Sequence, residues 1–165
     1  MTDTTAPAAA HLPPLGAHVR EDVGSELQAT LVELLDLSLV GKQLHWSIVG
    51  PLFQPLHERL DVMVDAWREL YDTVAERAVA LGYFPDGQAE AIAAGSELPR
   101  VERGPIADHA VVRDLTARLA DVAERVRGRM DRLGELDLAS QDVLIEVLRT
   151  LEEQLWMCRV QLEGA

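Results

Sequence analysis

The segment KQLHWSIVGPLFQPLHERLD, residues 42–61, joins two helical patterns through a Gly-Pro pair. Apolar residues recur at helical spacing on both sides of the pair, and the residue before a proline disfavours helical geometry. The pattern predicts helix A from about Ser25 to Val49 and helix B from about Phe53 to Leu81. Because the connection between them is short, the two helices should pack as antiparallel neighbours.

Two more long helical patterns follow a connection of about twenty residues that is rich in turn residues. Within this connection, QAEAIAA at 88–94 predicts a short helix. Helix C is expected to start near Pro105, and helix D to run from about Asp137 to Leu162. No segment shows the period-two alternation of a strand. The predicted fold is all-α, a ferritin-like four-helix bundle with a short extra helix in the long B–C connection.

The chain is expected to form one domain, the bundle of residues 23–165, preceded by a mobile Ala-, Pro- and Thr-rich tail at residues 1–22. The apolar arc of helix A is unusually broad, which predicts burial on more than one side and a neighbouring subunit. The other helices each carry an apolar stripe for the core. These stripes are Phe53, Leu60, Val64, Trp67, Leu70, Tyr71, Val74 and Ala78 on helix B; Leu115, Leu119, Val122, Val126, Met130 and Leu133 on helix C; and Val143, Leu144, Val147, Leu148, Leu151, Leu155 and Cys158 on helix D.

The composition is strongly acidic, with 15 Lys and Arg against 28 Asp and Glu and a formal net charge of −13. Such a surface repels nucleic acid and anionic lipid and concentrates cations. Lys42 is the only lysine, and residues 1–19 contain no basic side chain except histidine. The arginines at 125–132 alternate with acidic residues, as on a solvated helix face.

Compartment signals favour the cytoplasm. The single cysteine, Cys158, excludes a disulfide within one chain, which is typical of a reducing compartment. The N-terminal residues lack the pattern of a secretory signal, and no stretch is apolar for long enough to span a bilayer.

Candidate metal ligands lie at the end of helix A and along one stripe of helix B. With His57 at zero on a helical wheel, Asp61, Asp72 and Glu76 fall at about 40°, 60° and 100°, apart from the core stripe. His45 ends helix A and should approach the start of helix B through the Gly-Pro turn.

The stripe cannot form one site within one chain. His57 and Asp61 lie roughly 16 Å along the axis from Asp72 and Glu76, too far for bonds of about 2 Å to a single ion. Two antiparallel B helices around a two-fold axis would bring the first pair of one subunit to the second pair of its mate. His45 would then complete each of two identical sites, and an Asp65–Arg68 pair would be possible across the axis.

Two imidazoles and several carboxylates without a thiolate suit Fe(II), Mn(II) or catalytic Zn(II). Other interpretations remain open: His57 and Asp61 as a plain surface pair, and Asp72 and Glu76 neutralised by nearby arginines. Trp46 is either a packing residue or a redox-active indole beside the metal. The remaining histidines, His11, His18 and His109, are not expected to be ligands.

The run H-W-x3-G-x2-F-x2-L-H-x3-D at 45–61, followed by D-x3-E at 72–76, resembles the signature of the Dps mini-ferritins, the DNA-binding proteins from starved cells. The resemblance extends from about Leu27 through LEEQLWMCR at 151–159. It implies that His45, His57 and Asp61 are ferroxidase ligands from one subunit. By the same resemblance, Asp72 and Glu76 are those of the two-fold mate.

The resemblance further implies a hollow homododecamer that oxidises Fe(II), preferably with hydrogen peroxide rather than O2, and stores ferric oxide. Trp46 would intercept stray oxidising equivalents in such a site. Four acidic residues near the C–D turn are candidates for a cation pore: Glu135, Asp137, Asp142 and Glu146.

Family members that bind DNA generally use basic tails. This sequence shows none, so DNA is not an expected partner. The alternatives are a nucleoid-compacting, DNA-binding protein with little ferroxidase activity, and a helical bundle that binds zinc or manganese without turnover.

Overall fold

The computed structural model describes residues 12–163. Its helices, in chain order, are α1 (Ala17–Ser47), α2 (Phe53–Ala80), α3 (Ala89–Gly95), α4 (Asp108–Gly134) and α5 (Leu138–Glu163). The helices α1, α2, α4 and α5 correspond to the predicted helices A to D, and α3 is the short extra helix. The pairs α1–α2 and α4–α5 have the most extensive contacts. The prediction of an all-α, ferritin-like bundle is confirmed.

Helix α1 begins at Ala17, eight residues before the predicted start at Ser25. Val19 packs against the core and Val23 is fully buried, so the apolar stripe continues upstream of Ser25, which is exposed and caps nothing. Residues 17–22 are therefore part of the helix and not of a tail. The rest of the predicted mobile tail, up to residue 11, lies outside the described residues.

Two very short strands were not predicted. The strands β1 (Ile48–Val49) and β2 (Ile106–Ala107) pair in parallel, with Ile48 opposite Ile106. Two residues are too few to show alternation in a sequence. Because β2 precedes the helix, α4 begins at Asp108 and not at Pro105.

The bundle core follows the predicted stripes, with Trp67 fully buried and its indole N–H donating to Gln154 at 2.7 Å. Met130, Tyr71, Val143 and Leu155 are only partly buried, and Phe53 is exposed. Among helices of residues 12–163, none has the length and apolarity needed to cross a bilayer.

The broad apolar arc of α1 is largely covered by the same chain. Helix α1 packs against α3 and α4 as well as α2. Gly95 of α3 lies against Val32, and Ser96 donates to Asp36 at 2.5 Å. Burial of α1 on two sides therefore does not by itself require a second subunit. Three apolar side chains of α1 and α2 nevertheless stay exposed: Leu39, Trp46 and Val62.

The alternation of charges predicts that all the arginines at 125–132 lie on a solvated face of α4. This prediction is wrong for two of them. Arg125 and Arg129 both donate to the carboxylate of Glu33, which is 1% exposed inside the bundle. A carboxylate can be buried at this depth only when it is paired in this way. Arg127 and Arg132 are exposed, as predicted.

Candidate metal centre at the α1–α2 turn

His45 and His57 are brought together by the turn between α1 and α2. Their rings stack with centroids 3.5 Å apart and planes inclined by 23°. The Nδ1 atom of His45 lies 2.9 Å from the carbonyl oxygen of His57, and Nδ1 of His57 lies 3.0 Å from the carbonyl oxygen of His45. Each histidine therefore fixes the ring of the other through the backbone.

These hydrogen bonds determine the tautomer of both rings. A carbonyl oxygen only accepts, so Nδ1 must carry the proton in each ring, and in the neutral imidazole Nε2 keeps its lone pair. Histidines that ligate metals are commonly oriented by donating their other N–H to a backbone carbonyl. Nε2 is therefore the nitrogen that each ring has free to bind a ligand, and His45 is buried in the chain while His57 is partly exposed.

Asp61 lies one turn beyond His57 and completes the group from this chain. Its Oδ1 is 3.3 Å from Nδ1 of His45 and accepts a hydrogen bond of 2.5 Å from Nζ of Lys42. The bond from Lys42, helped by the positive charge of the neighbouring histidines when protonated, lowers the pKa of Asp61 below its usual 3.8. Asp61 is therefore a carboxylate at neutral pH.

Asp72 and Glu76 are exposed farther along α2. The arginines that might neutralise them have other partners: Arg77 donates to Asp137 at 2.6 Å, and Arg68 donates to Asp65 at 3.0 Å. Arg68 and Asp65 thus pair within one chain, and a pair across a two-fold axis stays a prediction.

Within residues 12–163 of one chain, no three His, Cys, Asp or Glu side chains are arranged to hold a metal ion together. The donors of α2 lie in two groups separated by roughly 16 Å, from eleven residues at about 1.5 Å each.

Trp46 follows His45 and projects from the surface, with 69% of the side chain exposed. It is not a core residue of its own chain. The Nζ of Lys42 lies 5.8 Å from the centroid of its ring, within the range of a cation–π contact. Lys42 therefore links Asp61 to the indole.

The other sequence candidates lie elsewhere. His18 is exposed near Asp22, His109 is exposed beside Asp108, and His11 lies outside the described residues. Of the proposed pore acids, Asp137 accepts hydrogen bonds from Arg77 and Ser140 at the start of α5 and is only 13% exposed. That role is structural. The other three pore candidates, Glu135, Asp142 and Glu146, are exposed.

Two side chains at the site escaped sequence reasoning. Lys42 lies three residues before His45, a spacing that places both on one side of α1 and would have identified it. Asp108 accepts a hydrogen bond of 2.8 Å from the amide of Leu52 in the α1–α2 turn. No local pattern signals a contact between residues that are 56 positions apart.

A family model described as a ferritin-like domain matches residues 25–165. The chain is thus a ferritin-like protein, as the bundle and its connections indicate. It is 37% identical over 93% of its length to the DNA protection during starvation protein of Mycolicibacterium smegmatis, of which the match covers 84%. It is 32% identical over 99% of its length to DNA protection during starvation protein 2 of Deinococcus radiodurans, of which the match covers 69%.

Solved structures agree with this relationship. The chain superposes on Mycobacterium smegmatis Dps with a TM-score of 0.89 at 35% identity, covering 93% of this chain and 88% of the other. The protein belongs to the Dps family of mini-ferritins.

Proposed function

We propose that this protein is an iron-storage and detoxification protein of the cytoplasm, a ferroxidase whose site is shared by two subunits. Fe(II) is the substrate, and hydrogen peroxide is preferred to O2 as the oxidant. The observation that carries the proposal is the reciprocal pair of hydrogen bonds between His45 and His57, which uses both Nδ1 atoms and leaves both Nε2 atoms free to bind an ion.

The second half of the site comes from a two-fold mate in this proposal. Asp72 and Glu76 are exposed carboxylates without an ion pair among the described residues, and both lie on the α2 surface that also carries Asp61. Antiparallel contact of two α2 helices brings the two groups together twice. The exposed Trp46 and Val62 supply apolar area for that contact, and six such dimers form the proposed hollow dodecamer.

The donor set suits the chemistry. Hard carboxylate oxygens from the mate stabilise the ferric product more than the ferrous substrate, which favours oxidation. Two Fe(II) ions supply two electrons to one hydrogen peroxide, giving two Fe(III) and two hydroxide ions. Peroxide reduced by two electrons in this way releases no hydroxyl radical. Trp46 is the next residue after His45, so its indole is the group expected to react with stray oxidising equivalents from the site.

Stopped-flow absorbance after mixing the protein with Fe(II) and hydrogen peroxide tests the enzymatic claim. A ferric signal that rises much faster than in a protein-free control, and faster with peroxide than with O2, is expected. A rate equal to the control, with zinc or manganese still bound stoichiometrically, would instead favour a bundle that binds metal without turnover.

The relatives named above are called DNA protection proteins, which makes DNA binding the second candidate function. The net charge of −13 opposes it, because phosphate binding requires clustered Lys and Arg. We propose that protection comes from the removal of Fe(II) and peroxide. A gel-shift assay at physiological salt should leave plasmid mobility unchanged, and plasmid retained in the wells would favour nucleoid compaction.

A further inference from the structure

Asp108 begins α4 but its carboxylate lies on the turn between α1 and α2. Its Oδ2 accepts a hydrogen bond of 2.8 Å from the amide of Leu52, and its Oδ1 accepts one of 2.7 Å from the amide of His109. Asp108 is 8% exposed. One buried carboxylate therefore ties the first turn of α4 to the α1–α2 connection.

The turn is shaped around this carboxylate. Gly50 has φ +132°, a conformation that side chains rarely adopt, and a Cβ built at Gly50 would lie 2.6 Å from Oδ2 of Asp108. Glycine is required here both for the backbone conformation and for the close approach of the carboxylate. The pairing of Ile48 with Ile106 in the β1–β2 bridge holds the two segments together just before this contact.

The same turn sets the register of the two histidines. His45 lies five residues before Gly50, and His57 lies five residues after Leu52. Each ring donates to the backbone carbonyl of the other, so a slip of the turn by about 1 Å would lengthen both hydrogen bonds beyond a normal distance. The tautomer and direction of both Nε2 atoms depend on that register.

Asp108 is ionised at neutral pH. The hydrogen bond from the Leu52 amide is the main cause that lowers its pKa below the usual 3.8, with further contributions from His109. A carboxylate accepts a stronger hydrogen bond from an amide than a neutral acceptor does.

We propose that Asp108 is a positioning residue for the histidine pair, acting through the Leu52 amide to fix the turn that aligns His45 with His57. The inference rests on the proposed function of that pair. Asp108 itself touches neither of the two rings in any hydrogen bond of the described residues. It stabilises the backbone that carries them.

The test compares Asp108→Ala and Asp108→Asn with Asp114→Ala in the assembled full-length protein. Asp114 pairs with Arg118 on the same helix, away from the turn. The Asp114→Ala variant therefore shows how the loss of an α4 ion pair alone changes Co(II) binding and thermal stability. Co(II) binding, followed by visible absorbance, reports the ligand set without turnover. Thermal unfolding and size-exclusion chromatography report stability and assembly.

Asp108→Ala should weaken Co(II) binding by about tenfold. This is the low end of the loss seen when a group hydrogen-bonded to a metal ligand is removed, because Asp108 acts on the two histidines only through the backbone. Asp108→Asn should recover part of the affinity, because its single amide oxygen can still accept from Leu52 while its NH2 group cannot accept from His109. Asp114→Ala should bind as the unaltered protein does. Gly50→Ala, which would push the carboxylate away, should resemble Asp108→Ala.

Wild-type affinity in both Asp108→Ala and Gly50→Ala, with assembly intact, would overturn the positioning role and leave the proposed function standing. If Asp108→Ala does not assemble, Asp108→Asn and Gly50→Ala decide. Co(II) binding that is weaker in Gly50→Ala than in Asp108→Asn supports the role, and any other result refutes it. Failure of the unaltered protein to bind Co(II) or oxidise Fe(II) would refute the function itself.

Discussion

The imidazole of His45 donates to the backbone carbonyl of His57, and the imidazole of His57 donates to the backbone carbonyl of His45. This reciprocal arrangement consumes both Nδ1–H groups and holds two rings in stacked contact at 3.5 Å. A histidine that ligates a metal is commonly held by a hydrogen bond from its other ring N–H to a backbone carbonyl, as both rings are here.

Removal of the proposed ligands at the start of α2 should abolish rapid Fe(II) oxidation without unfolding the bundle. In a His57→Ala, Asp61→Ala double variant, both side chains lost are partly exposed and lie off the buried stripe of α2. The stopped-flow rate should fall to the protein-free value, while the helical circular dichroism is retained. Glu58→Ala is the matched control, since this exposed neighbour bonds only Gln54 within the described part of the chain. A double variant that oxidises Fe(II) as fast as the Glu58→Ala variant would contradict the ligand assignment.

Lys42 should compete with the metal for Asp61. Its ammonium donates to Oδ1 at 2.5 Å, so a divalent ion at the same carboxylate must displace or repel it. Lys42→Met should tighten Co(II) binding by about fivefold, as expected for loss of one repulsive charge at several ångströms in a partly exposed site. Lys42→Arg keeps the charge and serves as the control. Weaker binding in the methionine variant would indicate that Lys42 supports the site instead.

Asp137 should stabilise the bundle only while it is ionised. Burial alone would raise its pKa, but the hydrogen bonds from Ser140 and Arg77 outweigh burial and lower it below 3.8. The stabilisation is therefore complete above pH 3.8 and is lost as the pH falls through the lower folded-state pKa.

Asp137→Ala should lower the free energy of unfolding by about 2 kcal/mol at neutral pH, because it removes the cap on the Ser140 amide and the ion pair with Arg77. The melting temperature should fall by about 5 °C. The difference in melting temperature between this variant and the unaltered protein should shrink when the pH is below the folded-state pKa of Asp137. Asp131→Ala, at an exposed position on α4, provides the comparison. A constant difference at all pH values would show that the carboxylate charge is unimportant.

Cys158 should resist alkylation in the folded protein. It is 5% exposed, and burial raises the pKa of its thiol from 9.0 to about 11. Only the thiolate reacts, and its fraction at pH 8 falls by roughly 100-fold for a shift of two units. Iodoacetamide labelling followed by mass spectrometry should be slow in the native protein and fast in urea. Equal rates in both conditions would show that the thiol is accessible.

Much of the fold was predictable because its signals are local. The stop at Gly50–Pro51 and the apolar stripe of α2 lie within a few turns of the residues they organise. The start of α1 at Ala17 was missed because Gly16 offers no side-chain cap, and the continuation of the stripe through Val19 and Val23 decides the boundary.

Long-range contacts were beyond prediction. The two arginines of α4 that pair with Glu33 lie 92 and 96 positions from it in the sequence, and the bond from Leu52 to Asp108 joins residues that are 56 positions apart. Helix periodicity identified His57 and Asp61 as neighbours, and the Gly-Pro turn predicted the approach of His45. Neither indicated the reciprocal hydrogen bonds, because those depend on the three-dimensional path of the turn.

Subunit mixing tests the shared site most directly. The His57→Ala, Asp61→Ala variant and an Asp72→Ala, Glu76→Ala variant each lack one half of every site, so each alone should be inactive. Co-expressed in equal amounts, they should recover about a quarter of the wild-type rate, because a two-fold interface forms two sites and one in four receives both intact halves. No recovery in assembled, mixed protein, or full activity of the Asp72→Ala, Glu76→Ala variant alone, would contradict a site built from two subunits.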